Sequence, residues 1–156
     1  MRALTLLRQP TRRKLLAAEA LRELLVAWWL VRRRPFRSFA PILGAAHPGE
    51  HLHLDRHDAR LLSDVRWAVT AVNRTAGGRF TCLMQGMAAK AMLTRRKVPS
   101  TLVLGAKLSR GEEPAETGAM AAHAWLRVGP VVVLGGEVRG EFVPVTSYHT
   151  SIDGAA

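Results

Sequence analysis

The 156-residue chain holds one cysteine, Cys82. A single thiol cannot close an internal disulfide, so nothing asks for an oxidising compartment, and the reducing cytosol is the expected setting. Long apolar runs are missing too. The segment Leu24 to Val31 is eight residues long, against the roughly 20 that span a bilayer. Arg22 and Glu23 bound it on one side, Arg32-Arg33-Arg34 on the other, and no small-residue cleavage site follows. Neither a signal peptide nor a transmembrane helix is expected. No Gly-rich phosphate loop of either standard type occurs, which removes the grounds for ATP use, and no cofactor is expected.

Acidic residues are scarce, 12 against 23 Lys and Arg, for a net charge of +11. The imbalance sits at the start. Residues 1–40 carry ten Arg or Lys against Glu19 and Glu23, leaving +8 there and a nearly balanced remainder. Such a block attracts nucleic acid, anionic lipid or an acidic polypeptide without distinguishing them, and its ordinary reading is a solvated helix face. A helix with Trp28 and Trp29 on an apolar side is better explained by docking on protein, so no nucleic-acid partner is expected.

Length and composition fit one globular domain, residues 1–156, whose basic helical segment covers about residues 1–40. Thr11 can cap a helix from about Arg12 to Arg34, with Leu15, Leu21, Leu24, Leu25, Trp28 and Val31 on its apolar side and Pro35 ending it. Ala40 to Glu50 reads as a connection. A second helix is expected from about Asp55 to Thr75, with a stripe of Leu61, Leu62, Val65, Ala68, Val69 and Val72 that Gly77-Gly78 stops. A third, largely apolar helix starts at Thr81 or Cys82 and ends in Arg95-Arg96-Lys97. After Pro99 come β-type runs at Ser100 to Leu108, Ala119 to Val128, Val131 to Leu134 and Glu141 to Val145, with Gly129-Pro130 the tightest turn. The loop Ser109 to Gly118 and the tail after Tyr148 are expected to be mobile. Helices first and strands after point to an α+β domain, with the cysteine-bearing helix packed on an antiparallel sheet.

If Thr81 is the N-cap, Cys82 is the first helical residue. Unpaired N–H groups and the helix dipole there favour a thiolate, and the same amides suit an oxyanion. The plain alternative is a small buried residue. His123, in Ala121 to Ala124, lies on a strand among small side chains, where a base is held rigidly and can be approached; its plain alternative is a satisfied core histidine. No other histidine falls on a confidently expected strand. His47, His51, His53 and His57 with Asp55 and Asp58 match no specific catalytic zinc pattern, and no metal is expected.

Three blocks give a resemblance: Thr81-Cys82-Leu83-Met84-Gln85-Gly86-Met87-Ala88-Ala89, Met92 through Gly105, and Ala122-His123-Ala124-Trp125-Leu126. Together they resemble the leader peptidases of lasso-peptide biosynthesis, members of the transglutaminase-like cysteine protease superfamily, and with the basic N-terminal helix the likeness covers nearly the whole chain. It implies a transglutaminase-like, papain-like fold in which Cys82 attacks a precursor-peptide carbonyl and His123 shuttles the proton. It also implies partners: the leader region of the precursor, a separate small leader-recognition protein, since no such domain fits before the first helix, and an ATP-dependent macrolactam cyclase.

One departure stands out. Such peptidases place an aspartate on the strand after the histidine strand. Pairing across Gly129-Pro130 puts Gly135 or Gly136 opposite His123, depending on the turn. Glu137 is the nearest acid and the first candidate for the third catalytic residue; Glu141 or a backbone carbonyl would be the fallback. Two other functions stay open: a non-catalytic scaffold that presents precursor peptide, and a membrane- or nucleic-acid-binding helix supported by the rest.

Overall fold

A computed structural model gives the structure, which describes residues 10–50, 58–108 and 120–151. The first helix, α1 (Thr11–Arg33), is capped by Pro10, not Thr11: Thr11 is the first helical residue and no side chain caps the end. Arg34 is extended ahead of Pro35, which disfavours helical backbone in the residue before it. The buried stripe is Leu16, Ala17, Ala20, Glu23, Leu24 and Ala27. This corrects the expected face, because Leu15, Leu21, Leu25 and Trp28 are exposed. Alanines let α1 approach the neighbouring helices closely, and the larger side chains are left outside.

The span Ala40 to Glu50, expected as connection, is structured as far as Pro48, and the residues ahead of it are helical. A short helix α2 (Phe36–Phe39) runs into a 3₁₀ turn (Ala40–Leu43), then strand β1 (Ala45–Pro48). Helix α3 (Ala59–Thr75) starts at Asp58, whose Oδ1 accepts from the N–H groups of Arg60 and Leu61 at 2.9 and 3.4 Å. It starts four residues later than expected, and residues 51–57 lie outside the described residues. Its buried side chains are Leu62, Val65, Ala68, Val69 and Val72, as the stripe predicts. Helix α4 (Cys82–Arg95) is capped by Thr81, whose hydroxyl accepts from Met84 N–H at 3.4 Å.

Strands β2 (Ser100–Leu108), β3 (Met120–Val128), β4 (Val131–Leu134) and β5 (Val143–Thr150) join β1 in an antiparallel sheet of order β1-β5-β2-β3-β4. The α+β architecture is as expected. The last strand begins two residues later than expected and runs on to Thr150, so Tyr148 does not end the ordered chain; the 3₁₀ turn Arg139–Glu141 precedes it. The loop expected to be mobile, Ser109 to Gly118, lies outside the described residues.

The helices cover one face of the sheet. Leu102 of β2 and Ala124, Leu126 and Val128 of β3 join the core formed with α1, α3 and α4. An ionic clamp fixes α1 across the end of α4. Glu19 takes two bonds from Arg96, 2.5 and 2.8 Å, and one from Arg95, 2.7 Å, while Arg95 reaches Glu23 at 2.6 Å. The Arg96 hydrogen bond outweighs the cost of burial and holds the Glu19 carboxyl below its usual range. Glu19→Gln is therefore expected to cost about 1 kcal/mol at neutral pH. A carboxyl lowered on folding stabilises above its unfolded value of 4.5 and loses that contribution as pH falls through the folded value. Urea midpoints of the two proteins should accordingly converge in acid.

Candidate active site

The approach to Cys82 is held by side chains on both sides. After α3 the chain turns at Gly77-Gly78, and Phe80, buried at 7% exposure, anchors the entry into α4. Asn73 Oδ1 accepts from Phe80 N–H at 3.0 Å, and Gln85 Nε2 donates to Phe80 C=O at 2.9 Å. Both backbone groups of Phe80 are thus held by side chains, and Thr81 caps the helix one residue on. Cys82 is half-buried as the first residue of α4. The N–H groups of Cys82 and Leu83 lie in the first turn, where no intrahelical acceptor exists, and face outward at the positive end of the helix dipole.

Two contacts set where that end lies on the sheet. A Cβ on Gly86 would come within 2.6 Å of Leu102 Cδ1, and Lys90 Nζ donates to Ser100 C=O at 2.6 Å. The helix therefore runs antiparallel to β2. One further turn back toward its start brings Cys82 level with Leu104, because four helical residues and two strand residues both advance about 6 Å. Leu104 pairs with Ala124, and Gly105 pairs with His123.

His123 shares its side of β3 with Trp125 and Arg127, while Ala124 and Leu126 go to the core. Its ring lies 5.1 Å from that of Phe142 and 6.1 Å from that of Trp125. The same side carries Glu50, which accepts from Trp125 Nε1 at 3.1 Å and from Arg127 Nη1. Burial raises the Glu50 pKa, but the bonds from Arg127 and Trp125 and the charges of Arg127 and Arg139 outweigh it, so the carboxyl is held ionised below its usual range.

The imidazole's partner is a backbone carbonyl. His123 Nε2 lies 2.8 Å from Gly135 O. A carbonyl only accepts, so Nε2 carries the proton and Nδ1 of the neutral ring is left as the acceptor. The hairpin produces this contact. Val128 pairs with Val131 across the two-residue turn, but a bulge shifts the register so that Leu126 pairs with Leu134. The ladder ends there, and neither Gly135 nor Gly136 pairs opposite His123. Gly135 turns away at φ 74°, and a Cβ on it would meet Ala124 O at 2.5 Å. Only glycine can take that backbone and that approach together.

Glu137, the first candidate for this role, is placed elsewhere. Its side chain is 72% exposed and its carboxylate faces Arg66 of α3 at 3.4 Å. Glu141 pairs with Lys107 at 2.6 Å. The structure thus brings His123 together with the Gly135 carbonyl and sets Cys82 at a neighbouring level of the sheet, but on the helical face, opposite the face that His123 shares with Trp125 and Phe142. Among the described residues no hydrogen bond joins the thiol to the imidazole. Asn73, Gln85 and Phe142 carry no signal in the sequence that marks them for the site; Gly135 stands out there only as a residue with no side chain to offer.

The family model of the transglutaminase-like superfamily matches residues 20–147, from the middle of α1 to β5, with Cys82 and His123 inside the match. The chain belongs to the transglutaminase-like superfamily. That superfamily is typically one of cysteine proteases and acyltransferases, and its domain here suggests cysteine peptidase or transglutaminase-type activity. No curated protein and no solved structure matches the chain. His123 is not the only strand histidine: His47 lies on β1, and His149, buried on β5, meets Thr101 Oγ1 at 3.0 Å. Asp58 is used as a helix cap, and His51, His53, Asp55 and His57 lie outside the described residues. No helix among the described residues is long and apolar enough to cross a membrane.

Proposed function

We propose that the chain is a cysteine peptidase that removes the leader from a ribosomally synthesised lasso-peptide precursor. The observation that carries this reading is the His123–Gly135 contact, which fixes the ring through Nε2 and leaves Nδ1 as its acceptor. The Thr81–Ala89 and Ala122–Leu126 blocks supply the resemblance to leader peptidases. In this reading the thiol must reach the imidazole around the sheet when substrate binds, because α4 packs on the face of Leu102, Ala124 and Leu126 and His123 lies on the other face with Trp125.

Nδ1 takes the Cys82 proton, and the sulfur adds to the scissile carbonyl. The oxyanion meets the N–H groups at the start of α4. As the C–N bond breaks, the imidazolium gives its proton to the leaving amine, and a thioester joins the leader to Cys82. Water, deprotonated by Nδ1, then hydrolyses the thioester and releases the leader carboxylate and the free thiol. Through both steps the Gly135 carbonyl keeps the Nε2 proton. It supplies a dipole where other triads supply a full charge, so it orients the ring well and stabilises the imidazolium less.

The partners in this reading are a separate small leader-recognition protein and an ATP-dependent macrolactam cyclase that acts on the released core. The cytoplasm, where a lone thiol stays reduced, is its place of action. Incubating precursor and recognition protein with the wild type should yield leader and core peptides, and Cys82→Ala should lower that rate on the order of 10³-fold or more. Unchanged cleavage by Cys82→Ala would remove the proposal. Precursor that the wild type binds but leaves intact would favour the scaffold reading, which gains its support from Glu137 facing Arg66.

A further inference from the structure

An open groove on the helical side ends at Phe80, two positions before Cys82 in the chain. Between α1 and the end of α3 lies a cavity of ≈ 540 Å³ lined by Leu21, Leu25, Trp28, Ala76, Arg79 and Phe80. A second, of ≈ 280 Å³, continues it toward the start of α1 and shares Leu21, Thr75 and Ala76 with it. The two form one groove. Its far end is Phe80, the residue whose backbone Asn73 and Gln85 hold, two positions before Cys82.

The walls are more apolar than solvent-facing surface requires. Leu21, Leu25 and Trp28 are 44%, 51% and 38% exposed, on the side of α1 that the core leaves uncovered. From Leu21 to Trp28 the helix advances about 10 Å, room for about three residues of extended peptide. The rim is cationic. Among the described residues Arg79, which lines the groove, has no acidic partner, and the Arg32 guanidinium lies 5.8 Å over the Trp28 ring. Apolar walls under unpaired guanidinium groups complement a polypeptide that mixes large aliphatic side chains with carboxylates.

We infer that this groove binds the substrate polypeptide itself, through an acidic, leucine-rich segment whose continuation enters at Phe80 and brings the scissile carbonyl to Cys82. The inference rests on the peptidase reading for its occupant, and on the groove's course, its exposed side chains and its charge for the rest. The part of α1 that the core does not use is then the specificity surface of the enzyme. Arg32 of the basic N-terminal block then serves substrate rather than nucleic acid or lipid.

The probe is a short fluorescein-labelled peptide of leucine and glutamate, titrated by anisotropy against the full chain. Saturable binding is expected, and bound peptide should slow alkylation of Cys82 by iodoacetamide. Leu25→Glu and Arg79→Glu, both at exposed positions, should each weaken binding by about tenfold or more while Tm stays at the wild-type value. The matching leucine–lysine peptide should not bind. Equal binding by Leu25→Glu, equal binding of the lysine peptide, or self-association of the chain that Leu25→Glu abolishes would overturn the inference. The two readings fail separately. Precursor cleavage by Leu25→Glu at the wild-type rate would end the groove's role and leave the peptidase intact. Groove-dependent binding by a protein that cuts no precursor would do the reverse.

Discussion

Gly135→Ala is expected to lose about 3 kcal/mol of stability and on the order of 10²-fold or more of cleavage rate. Two costs combine. The φ of 74° is strained for any residue with a Cβ, and that Cβ would lie 2.5 Å from Ala124 O and 3.1 Å from Trp125 Cα, both backbone atoms that cannot swing aside. The chain must back away from β3, and the carbonyl that holds His123 Nε2 moves with it. A ring free to rotate presents either nitrogen to Cys82, so rate falls further than stability alone explains. Gly136→Ala is the control. Its Cβ would meet the side chain of Val132 at 3.0 Å, which can shift, and its φ is not in the left-handed region. Urea midpoints and cleavage rates of both variants check the contrast: large losses for Gly135→Ala and near wild-type values for Gly136→Ala.

Lys90 sets the second large effect, on the pH dependence of stability. It is 3% exposed under the sheet, where Nζ donates to Ser100 C=O at 2.6 Å and to Tyr148 C=O at 3.1 Å, tying α4 to β2 and β5. Burial pushes its pKa from 10.5 down to about 7. The unfolded chain therefore binds the proton more tightly than the folded one. Below about pH 7 both states are protonated and the full cost of the buried charge is present. As pH rises from there toward the unfolded value, the unfolded state holds more protons and stability increases. A gain of about 2 kcal/mol is expected between pH 7 and pH 9. Lys90→Met should flatten that rise and be the more stable protein at the acid end, partly offset there by two carbonyls that lose their donor. Urea melts of both proteins at the two pH values measure it; parallel curves would show that the folded protein does not hold Lys90 with a lowered pKa.

The site's helix was legible because its signals are local. Thr81 ahead of Cys82 is a capping pair that acts within one turn, and the structure places both as read. The stripe of α3 was legible because its apolar side chains fall on one face only. On α1 the apolar residues go all round, so periodicity favoured the large ones, while packing against α4 selected the small ones, Ala17, Ala20 and Ala27. Strand β1 went unread because Ala45, Ala46, His47 and Pro48 have little strand character of their own. Pairing with Thr146 through His149, about a hundred residues away, makes them a strand.

The partner of His123 was least legible. The nearest acid in the sequence is Glu137, but the contact is a main-chain oxygen, which every residue has and no side chain advertises. The usable clue was conformational. Paired glycines just past a short strand mark a place where the backbone must turn through a left-handed conformation and pass close to its neighbour, and such a turn can aim a carbonyl back across the hairpin.

Alkylation of Cys82 by iodoacetamide at about pH 6.5 tests most directly whether the thiol and His123 act together. The folded wild type should react about tenfold or more faster than the same chain unfolded in urea, and His123→Ala should lose that advantage while remaining folded. A folded wild type that reacts no faster than the unfolded chain, or a His123→Ala protein that reacts as fast as the wild type, would contradict a Cys82–His123 nucleophile.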